Sequence, residues 1–149
     1  MAVAIQHDPD RRETAATSQP LQVTCMRCGS AFIADTPLTR CPSCGGLLDA
    51  TIDVTQTLTP ASFVAAPGSL EAHSGVWRFH PLLPPIPADS VVSRAEGNTP
   101  LYWDQRLADY AGLVDGRFGV KHEGHNPTGS FKDRGMTVAV SHANAIGSR

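Results

Sequence analysis

The sequence predicts an α/β chain with a small, cysteine-bearing β segment ahead of it. Three observations lead there. Residues 117–147 read as strand, turn and helix in succession, which is half of a βαβ unit. All four cysteines fall between Leu21 and Val54, in two Cys-x-x-Cys pairs. The whole chain, at 149 residues, is long enough for one domain with a packed core.

Residues 1–20 carry Asp8, Asp10, Arg11, Arg12 and Glu13 and have no apolar central run, so they do not read as a secretory signal. Their arginines and hydroxyls faintly suggest a transit peptide, and the acids argue against one. A disordered, solvated tail on a cytoplasmic protein is the expectation. A formal charge of −2 and an isoelectric point near 6.3 exert no net pull on nucleic acid or an anionic membrane. No stretch approaches the length of a membrane span.

Residues 21–54 form the cysteine segment. Cys25-Met-Arg-Cys28-Gly and Cys41-Pro-Ser-Cys44-Gly-Gly are separated by twelve residues. That spacing lets four thiolates converge on one tetrahedral ion, with a glycine after each pair freeing the backbone to turn amides toward sulfur. Two disulfides would need an oxidising compartment, and redox Cys-x-x-Cys pairs would each need to open a helix. A structural zinc held by Cys25, Cys28, Cys41 and Cys44 is the reading preferred here, and a four-thiolate shell leaves no open position for catalysis. So small a segment needs the metal to fold. Nucleic-acid binding has little support, because Arg27 and Arg40 face Asp35, Asp49 and Asp53.

Residues 55–90 are rich in proline, alanine and serine. The prolines of "VWRFHPLLPPIP" predict extended or polyproline-like backbone. Trp77, Phe79, Leu82 and Leu83 are expected to pack on a neighbouring domain, since together they would otherwise form an exposed apolar patch.

From residue 91 the pattern is α/β. "SRAEGNTPLY" predicts a loop and a short extended piece. "DQRLADYAGL" predicts a short helix capped by Asp104, with Leu107, Ala108 and Ala111 on one side. "RFGVKHE" predicts a strand with Phe118 and Val120 on its apolar face. After the turn "GHNPTG", "SFKDRGMTVAVSHANAIG" predicts a helix of about four turns. In it Ser130 is the expected cap, Asp133 its capping-box partner and Gly147 the stop. Gly135, Ala139 and Ala143 make a ridge of small residues suited to close packing on a sheet.

The chain has ten arginines and only two lysines, Lys121 and Lys132. Lys132 falls in the first helical turn, behind Thr128, Gly129 and Ser130. Free amides and the helix dipole at that mouth favour an anion. The dipole and the neighbouring Arg134 disfavour a charged amine, and burial would do so further. A neutral amine is what condensation with an aldehyde cofactor requires. Spacing alone leaves open a plainer reading, in which Lys132 is an exposed helix residue and Asp133 with Arg134 a solvated pair. His122 and His125 flank the turn and read as solvated.

"KHEGHNPTGSFKDRG" (residues 121–135) resembles the signature around the cofactor lysine in pyridoxal-phosphate enzymes of fold type II, most closely the threonine synthases. "SRAEGNTPLY" and "VWRFHPLLP" are similar to segments at the start of that family's catalytic domain, and a cysteine-rich ribbon precedes it in some members. The resemblance implies that residues 91–149 begin a three-layer catalytic domain. It makes Lys132 the cofactor lysine, and puts Asn126, Thr128, Ser130 and Phe131 beside the cofactor. It makes Glu96, Gly97, Asn98 and Thr99 a substrate loop, and Lys121 a strand lysine that does not hold the cofactor. It implies pyridoxal 5′-phosphate and structural zinc as cofactors, O-phosphohomoserine as substrate, threonine and phosphate as products, and a homodimeric parent. Family members run to several hundred residues, so an N-terminal fragment inactive by itself is expected. Alternatives are a related lyase or synthase such as cysteate synthase, or a zinc-ribbon interaction module with a degenerate enzyme remnant.

Overall fold

The computed structural model describes residues 21–52, 54, 57–113 and 117–148. The tail expected over residues 1–20, and Asp53, lie outside the described residues.

The cysteine segment is a three-stranded antiparallel sheet of order β2-β1-β3. Strand β1 (Gln22–Cys25) pairs on one side with β2 (Ala31–Ile33) and on the other with β3 (Leu48–Thr51). Alternation along β1 buries Val23 and Cys25 and exposes Gln22 and Thr24, the period of two that a half-buried strand requires. Two matching knuckles leave the sheet. Gly29 N–H donates to the Cys25 carbonyl at 2.9 Å and Gly45 N–H to the Cys41 carbonyl at 2.8 Å. Gly29 and Gly45 have φ of +74° and +72°, a conformation that favours glycine.

Residues 57–90 differ from the extended path that the prolines predict. A short helix α1 (Leu70–His73) starts at Ser69, whose Oγ accepts the Ala72 N–H. Residues Trp77–Leu82 then form two 3-10 turns with a kink at Phe79. A 3-10 turn tolerates Pro81 because the bonds fall on other donors: Phe79 N–H to the Val76 carbonyl and Leu83 N–H to the His80 carbonyl,. Only part of the expected apolar packing occurs. Trp77 is 4% exposed, whereas Phe79 and Leu82 remain exposed, with the Phe79 ring 5.1 Å from that of Phe63.

Beyond residue 91, β4 (Leu101–Trp103) pairs antiparallel with β5 (Gly119–Lys121), placing Leu101 opposite Lys121. Between them lies α2 (Gln105–Tyr110), capped as expected by Asp104, whose Oδ1 accepts the Arg106 N–H at 2.8 Å. Of the side proposed for burial only Ala108 is buried; Leu107 and Ala111 are exposed. Phe118 and Val120 are exposed as well. A strand, a turn and the long helix α3 (Asp133–Ala145) follow one another as the sequence predicts.

Helix α3 differs from expectation at its entry and along its buried face. Ser130 is not the cap: the helix enters through Lys132 in the right-handed region, without a side-chain cap. Asp133 makes no capping box. Its carboxylate instead accepts the Thr128 backbone N–H at 2.7 Å and the Thr128 hydroxyl, folding the turn back onto the helix. The buried face is Asp133, Thr137 and Ser141, not the small-residue ridge. Gly135 and Ala139 are exposed, and a Cβ on Gly135 would meet nothing within 4 Å. The polar face is buried because it is fully used. Thr137 Oγ1 donates to the Val92 carbonyl at 2.7 Å and accepts the Trp77 indole N–H at 3.0 Å. Ser141 Oγ accepts the Val92 N–H at 2.8 Å. Helix α3 is thereby pinned to two segments far from it in sequence, and buried polar groups so satisfied carry little penalty.

Candidate functional site

The mouth of α3 is built from the turn at residues 122–132. Gly129, at φ +74°, lets the chain reverse, and its N–H donates to the Asn126 carbonyl at 2.8 Å. Ser130 Oγ accepts the Lys132 N–H at 3.2 Å. The amides of Ser130 and Phe131 carry no partner among the described residues, which leaves two donors near the helix end where the dipole is positive.

The two lysines are treated differently. Lys121 Nζ donates to the Thr99 carbonyl at 2.6 Å. Lys132 is exposed, and its Nζ has no hydrogen-bond or ion-pair partner among the described residues. Its Nζ lies 5.9 Å from the centroid of the Phe131 ring. Arg134 does not crowd it. The guanidinium turns to Glu123, with Nε 2.7 Å from Oε2 and Nη2 2.8 Å from Oε1. Asp133 and Arg134 are therefore not a solvated pair, since each binds a separate residue across the turn.

Around Glu123 the site closes into a network. Thr99 Oγ1 donates to Glu123 Oε1 at 2.8 Å and accepts Arg134 Nη2 at 2.9 Å. Asn126 Nδ2 donates to Glu123 Oε2 at 3.0 Å, and Asn126 Oδ1 accepts the Gly97 N–H at 2.9 Å. Bonds from Arg134 first, then from Thr99, hold the Glu123 carboxyl down to about 2. The residues expected in the substrate loop sit here too. Glu96 and Thr99 are buried, and Glu96 accepts the Ser93 hydroxyl at 2.7 Å. Asn98 is exposed, with Nδ2 3.0 Å from the His73 carbonyl. Ala95 and Asn98 adopt φ of +61° and +48°, a strained conformation for residues with a Cβ.

The four cysteines converge as their spacing predicts. All are free thiols, and their sulfurs lie within 4.8 Å of one another. Cys25 and Cys44 are 3.5 Å apart, Cys28 and Cys41 3.7 Å. Four sulfurs about 2.3 Å from a zinc stand about 3.8 Å apart along each edge of the tetrahedron, so the donor set fits such an ion. A Cβ on Gly46 would lie 2.9 Å from Cys25 Sγ and 3.3 Å from Cys44 Sγ, so the cluster occupies the space beside that glycine. The thiols compete for charge. The Ser30 hydroxyl and backbone draw Cys28 down to about 6. Cys44 is raised to about 12: the Gly46 amide pulls it down, and the Cys28 and Cys25 sulfurs outweigh that pull. A cation would relieve that conflict.

Residues 92–148 match the family model of the pyridoxal-phosphate dependent enzymes. Over 83% of its length the chain is also similar in sequence to threonine synthases. It is 40% identical over 123 residues to the threonine synthase of Methanocaldococcus jannaschii, covering 83% of this chain and 29% of that protein. The Methanosarcina acetivorans threonine synthase is 41% identical over the same length, 83% of this chain and 28% of that relative. The threonine synthase of Mycobacterium leprae is 52% identical over 58 residues, 39% of this chain and 15% of the relative. The chain thus spans under a third of the length of the curated relatives it matches.

Within the segment that matches this family model, the structure gathers Glu96–Thr99, Asn126, Thr128, Ser130 and Lys132 around one turn and one helix mouth. Several of them are already engaged. Asn126, 4% exposed, spends both ends of its amide on Gly97 and Glu123, and Thr128 spends its hydroxyl on Asp133. Sequence reasoning missed Glu123 as the hub, and missed Arg134 as its partner. The pair is eleven positions apart across a turn, a spacing with no periodic signal.

Proposed function

We propose that this chain is the lysine-bearing portion of a threonine-synthase-like enzyme, converting O-phosphohomoserine and water to threonine and phosphate with pyridoxal 5′-phosphate. One observation carries the reading. Of the two lysines, Lys121 is tied to the Thr99 carbonyl, and Lys132, without a partner among the described residues, stands at a helix mouth inside the segment that matches the family model. The residues present fit an aldehyde cofactor in that respect: among the described residues the amine has no competing acceptor, and two amides beside it have no partner.

Lys132 Nζ would hold the cofactor's aldehyde carbon, with Ser130 and Phe131 bordering it. When bound, the cofactor would supply an electron sink that acidifies the substrate's α and then its β protons, so that the electron pair freed at the β carbon can expel phosphate from the γ carbon. The remaining work falls to the chain. Once the substrate's own amine displaces it, the Lys132 amine would take the α proton and move protons at the neighbouring carbons. The Glu96–Thr99 loop, fixed through its backbone and Thr99, would orient the amino-acid substrate. Engaged as they are, Asn126 and Thr128 contribute by shaping the turn. The reading extends to a three-layer catalytic domain with residues 55–90 packed on it, a carbon–oxygen lyase, and a cytoplasmic homodimer. The cysteine sheet is read as a zinc ribbon that supplies structure.

The test is phosphate release from O-phosphohomoserine by the full-length protein. Release that requires added pyridoxal 5′-phosphate and vanishes in Lys132→Ala supports the reading. Release that persists in Lys132→Ala refutes it.

A further inference from the structure

The Glu96–Thr99 loop and the helix carrying Lys132 are separate in sequence, yet one ion pair joins them. Arg134 lies two residues past Lys132 on the same helical entry. Its guanidinium takes both oxygens of Glu123, and its Nη2 also reaches Thr99 Oγ1. Asn126 adds a second tie, bonded to Glu123 on one side and to the Gly97 N–H on the other.

The loop so held is also packed closely against its neighbours. A Cβ on Gly75 would lie 2.0 Å from the Asn98 nitrogen, and one on Gly97 would lie 2.8 Å from Gly75 Cα and 3.0 Å from Arg134 Nη1. The loop backbone is therefore pressed between Gly75 and Arg134. With Ala95, Gly97 and Asn98 all at positive φ, it would relax to another shape once its ties were cut.

We propose that Glu123 and Arg134 are positioning residues that lock the Glu96–Thr99 loop to the mouth of α3, so that the substrate-orienting backbone and the Lys132 amine keep one fixed spacing. This rests on the function proposed above. It concerns how that site is held together, through bonds that Glu123 and Arg134 make to each other and to Thr99. A bidentate pair is suited to the task because its planar geometry fixes orientation as well as distance.

The experiment compares Glu123→Gln and Thr99→Val with the parent in the full-length protein loaded with pyridoxal 5′-phosphate. Both variants are expected to keep the visible absorbance of the bound cofactor. Glu123→Gln should raise KM for O-phosphohomoserine about tenfold or more, the scale of a lost charged hydrogen bond, with kcat falling less. Thr99→Val removes one hydroxyl and leaves the ion pair, so it stays informative where Glu123→Gln fails to fold. Its KM should rise about threefold or more. If the two single effects do not add in the double variant, both residues act through one network. A parent that binds no cofactor refutes the functional reading and this inference with it. A working parent whose folded variants keep KM within about twofold overturns the inference alone.

Discussion

The indole N–H of Trp77 donates to Thr137 Oγ1 at 3.0 Å, joining residues sixty positions apart. Both groups are buried, and the same hydroxyl donates to the Val92 carbonyl. One side chain thus closes a three-way junction between the 3-10 turns, the segment before the Glu96–Thr99 loop and α3. Thr137→Val keeps the shape and leaves the indole donor and the Val92 carbonyl each without that bond. It should cost about 1–3 kcal/mol, read from urea denaturation, with Thr137→Ser recovering most of it. Equal stability of the Val variant would show that the junction is not a stabilising one.

Gly75 is required by contact and not by its dihedrals. Its missing Cβ is where the Asn98 nitrogen sits, and backbone cannot yield as a flexible side-chain end can. Gly75→Ala should therefore destabilise by about 3 kcal/mol or more. It should also raise amide hydrogen exchange across residues 95–99. A variant as stable as the parent would mean that the two segments are not in contact.

Acid should loosen the loop before it unfolds the rest. Glu123 titrates near 2 in the folded chain because Arg134 and Thr99 favour its anion, against about 4.3 for a free glutamate. A carboxyl depressed in this way stabilises the fold fully above its unfolded value. That contribution is lost as pH falls from about 5 toward about 2. Melting temperature followed over that range should fall more steeply in the parent than in Glu123→Gln. Identical pH profiles would show that the pair contributes nothing to stability.

The cysteine cluster makes a prediction about composition. Purified without chelator, the protein should contain about one zinc per chain, and Cys25→Ser should reduce it sharply. Removal of the metal should expose the β1–β3 amides to exchange, because binding energy there is folding energy. Full protection in the metal-free protein would make the ion dispensable.

What could be read in the sequence follows from how local the cause is. The Cys25–Cys28 and Cys41–Cys44 knuckles, the Asp104 cap and the strand–turn–helix run into Lys132 all depend on neighbours a few residues apart. The entry and buried face of α3 do not. Asp133 turned to Thr128, where a capping box was expected, because that hydroxyl and amide lie across the turn. Thr137 and Ser141 took the buried face in place of Gly135 and Ala139 because Val92 and Trp77 offered partners that composition does not reveal. Glu123 and Arg134 were invisible for the same reason: each is unremarkable until folding brings Thr99 and Asn126 beside them.

The most direct test of the central claim is chemical trapping. The full-length protein is incubated with pyridoxal 5′-phosphate, reduced with borohydride and digested, and the modified peptide is sequenced. The label is expected on Lys132, which has no partner among the described residues, and not on Lys121, which is tied to Thr99. Label on Lys121, or on neither lysine, would contradict the account.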